Sequence, residues 1–338
     1  MTALLAPFQA ISISKLAFAL EAQGRDILHM EFGQPEASPP PSALAAGHQA
    51  IDDGVPGYWE SDPLKEKIAA QYGDVVDPSQ IFLTCGASPA LAMALGICFE
   101  PGDRIAVARP GYIAYRNVLR GLYLEPVEIG CDAATRFQLT AAQLEALTPA
   151  PKGVILSSPA NPTGSVIPEG ELRAIADLCK KRGIQIIADE IYHKLIYDNA
   201  PPSMALIDPS ALVINSFSKY HCMPGWRLGW LLPPPEKIEA ATAYLGNFFL
   251  TAPSLSQKVG LAAMDETDYL DANIDVYRRN RALMLNACTA LGFDQVAPPD
   301  GAFYLYADIS HLTDDSHSYC KRLLSETGVD ATQGVDFD

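Results

Sequence analysis

The fold is decided by two apolar runs that each end in polar residues, Ile184-Gln185-Ile186-Ile187-Ala188-Asp189 and Leu212-Val213-Ile214-Asn215-Ser216. Short runs rich in isoleucine, valine and leucine are typical of strands in a parallel sheet that is buried on both faces. Longer segments with helical periodicity lie between such runs. One of them, residues 168–182, begins with Pro168 and two glutamates, which favour a helix start. The alternation predicts an α/β fold, with a mostly parallel sheet flanked by helices.

The same pattern extends over most of the chain. It predicts further strands at residues 81–84, 105–108, 153–157, 228–232 and 303–307, and further helices at 63–72, 89–99, 112–121, 236–245, 268–291 and 316–326. The long helix at 268–291 indicates a connector into a second unit. We therefore predict a large domain at residues 41–275 and a smaller α+β domain at 276–338, with residues 1–40 packing against the smaller one.

Charge and hydropathy exclude several classes of function. The chain has 338 residues, with 24 Lys and Arg against 40 Asp and Glu, so its formal net charge is −16. This acidic balance, without an extended Lys/Arg-rich run, argues against nucleic-acid binding. The longest apolar stretch, residues 89–99, is too short to span a bilayer, and the start does not resemble a signal peptide. We expect a cytoplasmic protein without a membrane partner.

Cysteine and histidine usage argues against a metal site. The seven cysteines form no C-x-x-C pair, and the six histidines have no metal-ligand spacing to cysteines or to one another. Reduced, mostly buried thiols are typical of cytosolic proteins. We therefore predict free thiols and no bound metal.

A lysine follows the predicted strand at 212–215, within Ser216-Phe217-Ser218-Lys219. Burial at a strand end lowers the pKa of an amine, so Lys219 could form an imine. The two serine hydroxyls, together with Arg227 eight residues later, indicate an anion nearby. Taken alone, the segment fits equally well a surface loop with an ordinary solvated lysine.

Two more polar positions follow predicted strands. Asp189 closes the strand at 184–189, at the edge where open α/β sheets bind ligands, and could hold a protonated ring nitrogen. Asn161 lies in a loop restricted by Pro159 and Pro162, which presents one amide side chain. Taken singly, Asp189 could instead be a helix N-cap and the Asn161 loop a simple turn.

A fourth segment, Thr84-Cys85-Gly86-Ala87-Ser88, joins a strand to an apolar helix. The free N–H groups of a helix start can bind phosphate, and Gly86 allows the backbone to approach it closely. Residues 86–90 approximate the G-x-S-x-G nucleophile elbow of serine hydrolases. Ser88 would be the nucleophile, and Ala90 replaces the last glycine of that motif. No HGGG-like oxyanion segment precedes it, and the chain lacks the usual glycine-rich nucleotide-binding motifs.

Together these segments resemble the class I and II aminotransferases, fold-type-I enzymes that use pyridoxal 5'-phosphate (PLP). The resemblance covers nearly the whole chain and depends on the order of its motifs. These are Gly33-Gln34-Pro35, Gly57-Tyr58, Gly86-Ala87-Ser88, Pro110-Gly111-Tyr112, Asn161-Pro162-Thr163-Gly164, Asp189-Glu190-Ile191-Tyr192, Ser216-Phe217-Ser218-Lys219, Arg227 and Gly301-Ala302-Phe303-Tyr304. The spacing is specific, with 28 residues from Asn161 to Asp189 and 30 from Asp189 to Lys219.

The resemblance implies a PLP-dependent aminotransferase that moves an amino group between an amino acid and a 2-oxo acid. Lys219 would form the internal aldimine and then transfer the proton, while Asp189 would keep the pyridine nitrogen protonated. Asn161 and Tyr192 would bind the phenolic oxygen, and Tyr112 would stack on the ring. The expected catalytic residues are Lys219, Asp189 and Tyr192. The expected phosphate ligands are Ala87, Ser88, Ser216, Ser218 and Arg227.

The resemblance also implies where the substrate and a second subunit would bind. Gly33 would contact the substrate carboxylate through its backbone, and Asn161 would lie beside the substrate. Tyr58 would reach the phosphate of the neighbouring subunit, so that the site would require a homodimer.

The chain departs from the family pattern at two places. The segment from Tyr58 to Leu64 is short, and no arginine follows Arg322, although family members carry a later arginine that pairs with the substrate carboxylate. We therefore expect the small domain to be truncated. A PLP-dependent lyase or decarboxylase of the same fold remains open as an alternative, and a non-catalytic PLP-binding protein and a serine hydrolase are weaker ones.

Overall fold

A computed structural model describes residues 10–55 and 57–338 of the chain. Its α-helices are α1 (Ala10–Glu21), α2 (Pro41–Asp52), α3 (Asp62–Ala70), α4 (Ala87–Cys98), α5 (Ile113–Gly121), α6 (Ala141–Glu145), α7 (Glu169–Arg182), α8 (Met204–Ile207), α9 (Ile238–Phe248), α10 (Ser254–Ala263), α11 (Thr267–Ala290) and α12 (Ser316–Thr327). Its strands are β1 (Leu28–His29), β2 (Phe82–Thr84), β3 (Arg104–Arg109), β4 (Glu125–Gly130), β5 (Gly153–Ser157), β6 (Gln185–Asp189), β7 (Leu212–Ser216), β8 (Gly229–Leu232) and β9 (Val329–Asp330). None of the helices in these residues is long and apolar enough to cross a membrane.

A seven-stranded sheet in the order β2-β8-β7-β6-β5-β3-β4 forms the centre of the molecule. The strands from β7 to β4 in this order are parallel, and β8 is antiparallel to both of its neighbours. The central strands β5, β6 and β7 are almost completely buried, which explains why their interior residues are mostly apolar. The arrangement confirms the predicted α/β fold with a mostly parallel sheet.

Two hydrophobic cores cover the two faces of this sheet. Successive residues of a strand point to opposite faces, so Ile186 and Ala188 belong to one core and Ile187 belongs to the other. The first core contains residues of α3, α7 and α10, and the second contains residues of α4, α5 and α9. Burial on both faces holds the strands in register, and the register determines where their polar ends lie.

The beginning and the end of the described chain pack together. β1 pairs in parallel with β9, with Leu28 opposite Val329 and His29 opposite Asp330. Beside this small sheet, α1 and α12 contact each other through a cluster of Ile13, Ala17, Cys320 and Leu324. The domain boundaries expected near residues 40 and 275 stay a prediction.

Residues 303–307 do not form the predicted strand. One isolated bridge occurs there, between Val296 and Ala307, and a second lies just before it, between Ile196 and Gly301. Ala302 has a φ of +56°, which turns the backbone out of the extended conformation. Its N–H donates to the carbonyl of Leu195 at 2.7 Å, so this segment lies against the loop after β6 and joins no sheet.

Candidate active site

The polar residues that follow several strands meet at one edge of the central sheet. β5 and β6 are parallel, and Ser157 at the end of β5 lies opposite Asp189 at the end of β6. β8 runs in the other direction, so its first residue, Gly229, lies opposite both Ser216 at the end of β7 and Thr84 at the end of β2. The loops after these strands therefore converge on the crevice where open α/β sheets bind ligands.

Lys219 lies in this crevice and is largely removed from solvent. Its Nζ donates a hydrogen bond to the carbonyl of Gly33 and lies 5.4 Å from the centre of the Tyr192 ring and 5.7 Å from that of Phe303. Burial lowers the pKa of Lys219 to about 8, with Asp189 opposing this shift and Arg227 adding to it. About half of this amine is therefore unprotonated near pH 8.

Asp189 is buried at the end of β6 and is held by two hydrogen bonds. The hydroxyl of Tyr115 donates to Oδ2 at 2.8 Å, and the N–H of Ile191 donates to Oδ1 at 3.1 Å. Burial raises the pKa of Asp189, whereas both hydrogen bonds and the nearby Lys219 oppose the rise. This carboxylate is thus fixed in position, and a cationic partner would stabilise its ionised form.

Aromatic hydroxyls line the same crevice. The hydroxyl of Tyr192 contacts that of Tyr304, and burial raises the pKa of both phenols, so both are neutral. Tyr112 precedes α5, and its ring meets that of Tyr115 edge to face at 5.4 Å. Tyr112 and Tyr192, both predicted site residues, lie close enough to Asp189 for its charge to help raise their pKa.

The side chain of Asn161 carries an unsatisfied polar atom. Its Oδ1 is buried and has no hydrogen-bond partner among the described residues. A buried amide atom without a partner is unfavourable, and native proteins keep few of them. The side chain borders a small open pocket, which Tyr112 and Ser157 also line. A hydrogen-bond donor at this point would remove the penalty.

The start of α4 and the side chain of Arg227 form a cradle suited to an anion. Gly86 precedes the helix with φ +98° and ψ 177°, and no side chain caps the first N–H groups, among which are those of Ala87 and Ser88. Arg227 donates to the carbonyl of Cys85 at 3.2 Å and forms an ion pair with no carboxylate of the described residues. Its guanidinium is exposed beside Gly86, so positive charge and free N–H groups face the same space.

Two buried serines complete this side of the crevice. Ser216 Oγ lies 2.9 Å from Ser218 Oγ and 2.9 Å from the carbonyl of Leu228, and it accepts a hydrogen bond from the Ser218 N–H at 3.0 Å. The pair therefore ties the end of β7 to the start of β8, close to Arg227.

Gly33 and Tyr58 differ in their relation to this cluster. Gly33 contacts Lys219 and leaves no room for a Cβ, which would collide with the hydroxyl of Tyr304. Tyr58 is 86% exposed and contributes to no part of the cluster described above. All other predicted site residues lie at the converging strand ends, while their individual roles stay predictions.

Tyr115 and Tyr304 contact the site, but the sequence analysis assigned them no role. Tyr115 follows Tyr112 by three residues at a helix start, a spacing that places two side chains on neighbouring positions of a helix. That spacing was an available signal. Tyr304 is more than 80 residues from Lys219 in sequence, so only its position within the matching motif could have indicated it.

Comparison with known proteins agrees with this geometry. Residues 25–337 match the family described as aminotransferase class I and II. The chain is 42% identical to the valine–pyruvate aminotransferase of Mycobacterium tuberculosis, and the match covers 98% of this chain and 88% of the relative.

Solved structures share the fold over nearly the whole chain. A crystal structure of an aminotransferase from Mycobacterium tuberculosis has a TM-score of 0.96 and 41% identity, covering 99% of this chain and 89% of that one. The aspartate aminotransferase of Thermus thermophilus with maleate has a TM-score of 0.91 and 28% identity, covering 98% and 90%. These matches support amino-group transfer over the hydrolase and non-catalytic alternatives. The chain belongs to the class I and II aminotransferases and is an enzyme that transfers amino groups.

Proposed function

We propose that the enzyme uses PLP, held through the amine of Lys219, to move an amino group from an amino acid to a 2-oxo acid. One observation carries the proposal. A lysine with its pKa lowered to about 8 lies with the buried carboxylate of Asp189 at the edge where the strand ends converge.

The residues present fit each polar part of PLP. Lys219 offers an amine to the aldehyde, and Asp189 offers a carboxylate to the ring nitrogen. The side-chain amide of Asn161, whose oxygen has no described partner, offers its N–H as a donor to the phenolic oxygen. The start of α4 and Arg227 offer N–H groups and a guanidinium to the phosphate. When bound, PLP supplies an electron sink that stabilises negative charge at the substrate Cα.

Lys219 is suited to move the proton at the substrate Cα. Its lowered pKa keeps much of the amine neutral near pH 8, as a general base requires. The carbonyl of Gly33 orients Nζ, and the neighbouring rings of Tyr192 and Phe303 exclude water from it. A base that is oriented and poorly hydrated transfers protons efficiently.

Asp189 is suited to hold a proton on the ring nitrogen. The hydrogen bond from Tyr115 favours the ionised carboxylate, which attracts a cationic N–H. Because the site around Asp189 is buried, this attraction is stronger than it would be in water. Tyr115 is therefore a positioning residue that acts through Asp189.

The proposal also covers the quaternary structure, the substrate and the compartment. The exposure of Tyr58 supports a homodimer in which this tyrosine reaches the neighbouring phosphate. The similarity to a valine–pyruvate aminotransferase supports a small apolar amino acid, with pyruvate as acceptor. All seven cysteines are free thiols, which supports a cytoplasmic location.

Absorbance and product analysis test this proposal. Protein mixed with PLP should absorb visible light, and borohydride should fix the cofactor covalently to Lys219. Lys219→Ala should lose both signals, while Lys180→Ala, an exposed lysine of α7, should keep both.

The substrate assay separates transfer from the lyase alternative. Valine and pyruvate should yield alanine and the 2-oxo acid of valine in equal amounts. Release of carbon dioxide without alanine would indicate a decarboxylase and refute amino transfer, and a covalent label on another lysine would refute the assignment of Lys219.

A further inference from the structure

His29, Glu31 and Asp330 form a compact cluster at the small two-stranded sheet, apart from the crevice. His29 lies opposite Asp330 across β1 and β9, and Glu31 is two residues beyond His29, so their side chains point to one side. The Nδ1 atom of His29 is 3.0 Å from Glu31 Oε1 and 4.0 Å from Asp330 Oδ2. One potential ligand atom from each residue lies within 4.8 Å of the others.

Among the described residues, only His29 lies within ion-pair distance of the two carboxylates. The side chains of Glu31 and Asp330 are both 0% exposed, and neither oxygen of Asp330 has a hydrogen-bond partner among the described residues. No lysine or arginine in the described part of the chain forms an ion pair with either acid. Buried like charges are unfavourable unless a cation or a shared proton compensates them.

We propose that His29, Glu31 and Asp330 bind one divalent transition-metal ion of the Zn²⁺ type. An imidazole nitrogen and carboxylate oxygens are common zinc ligands, with bonds of about 2.0–2.2 Å. Tetrahedral geometry then separates ligand atoms by about 3.4 Å, and the two distances from His29 Nδ1 lie on either side of this value. The side chain of His29 is 29% exposed, which leaves a path for the ion and room for a water ligand.

The surroundings of His29 match those of a metal-binding histidine. Its second nitrogen, Nε2, lies 3.4 Å from Glu21 Oε2, and the ring of Phe18 stacks on the imidazole at 5.0 Å. A carboxylate beside one ring nitrogen holds the proton there and frees the other nitrogen for the metal. Glu21 is thus a positioning residue for the Nδ1 ligand.

Such an ion would connect the two ends of the described chain. His29 and Asp330 are 301 residues apart, so local ligand spacing could not indicate the site, and the sequence analysis predicted no metal. Glu31 lies two residues before Gly33, whose carbonyl accepts from Lys219. The ion would therefore also restrict the movement of residues 31–33, which include the carbonyl that contacts Lys219. That last effect rests on the proposed function, whereas the metal binding does not.

Metal titration of the chelator-treated protein tests the inference directly. We expect one Co²⁺ per chain with a visible absorption band, and one Zn²⁺ per chain by calorimetry. His29→Gln should weaken Zn²⁺ binding by more than about 100-fold, and Glu21→Gln by about 10- to 100-fold. His48→Gln, which alters an exposed histidine of α2, should bind Zn²⁺ like the unaltered protein.

A second variant separates the metal from a shared proton. If the ion is bound, Zn²⁺ should raise the melting temperature of the unaltered protein but not that of Asp330→Asn. If the two acids only share a proton, the unaltered protein should bind neither ion, and Asp330→Asn should melt at a higher temperature. That result, or equal Zn²⁺ binding by His29→Gln and His48→Gln, would overturn the proposal.

Discussion

Replacing Gly86 by alanine should weaken phosphate binding specifically. The backbone of Gly86 has φ +98° and ψ 177°, a region that is almost restricted to glycine and costs other residues about 1–3 kcal/mol. A Cβ at this position would lie 2.5 Å from Arg227 Nη2, so the guanidinium has to move away from the start of α4. The substitution therefore disturbs the proposed phosphate cradle through one added methyl group.

The expected loss of affinity follows from the displaced guanidinium. A hydrogen bond to a charged group contributes about 1.5–3 kcal/mol, which corresponds to about 10- to 150-fold in the dissociation constant of PLP. Gly183→Ala is the matched control, because Gly183 has φ +66° at the end of α7 and no atom within 4 Å of an added Cβ. It should cost about 1–2 kcal/mol of stability and leave PLP affinity unchanged.

Titration with PLP and with pyridoxal, which lacks the phosphate, separates the two effects. Gly86→Ala should lose affinity for PLP by the stated factor and keep most of its affinity for pyridoxal. Urea unfolding of the cofactor-free variants gives the cost to the fold. An equal loss for both ligands, or unchanged PLP affinity, would refute the assignment of this cradle to the phosphate.

Three further predictions concern Lys219, Asn161 and Tyr58. The native pKa of Lys219 is about 8 against an ordinary 10.5, so between these values the unfolded state binds more protons and stability rises with pH. Cofactor-free Lys219→Met should therefore be more stable than the unaltered protein at pH 7, by on the order of 2–3 kcal/mol. This advantage should shrink between pH 8 and pH 10 in urea unfolding, and a constant difference would contradict the lowered pKa. Asn161→Ala should change cofactor-free stability by less than about 1 kcal/mol, since Oδ1 has no described partner to lose, yet weaken PLP binding about tenfold. Similar losses of unfolding free energy and PLP binding energy would argue against a ligand role. Co-expressed Tyr58→Ala and Lys219→Ala chains should form mixed dimers with transaminase activity that neither variant has alone, because one site then contains both intact residues. Inactive mixed dimers would show that Tyr58 does not act across the interface.

The central sheet could be predicted because strands that are buried on both faces have short apolar sequences, which can be recognised without knowing the rest of the fold. β5, β6 and β7 have mostly apolar interiors, and they end in the polar residues Ser157, Asp189 and Ser216. Parallel strands present their carboxyl ends at one edge, so the convergence of these residues followed from the strand assignments. The match of the ordered motifs then indicated the family.

Elements at the periphery of the fold were harder to predict. β4 is an edge strand with the sequence Glu125-Pro126-Val127-Glu128-Ile129-Gly130, which is half-buried and contains a proline. Such strands lack the apolar signal of a central strand. Residues 303–307 carried that signal, but they form only an isolated bridge, between Ala307 and Val296, and Ala302 before them turns the backbone toward Leu195.

The sequence by itself determined the α/β sheet, the polar strand ends and the order of the motifs, since each depends on neighbours in the chain. Only the tertiary structure brought Tyr115 to Asp189, left the amide of Asn161 without a described partner and placed His29 opposite Asp330. The physical reason is that these contacts join side chains from different elements. Their distances depend on how helices and strands pack across the whole molecule. A local pattern of hydrophobicity or charge does not determine that packing.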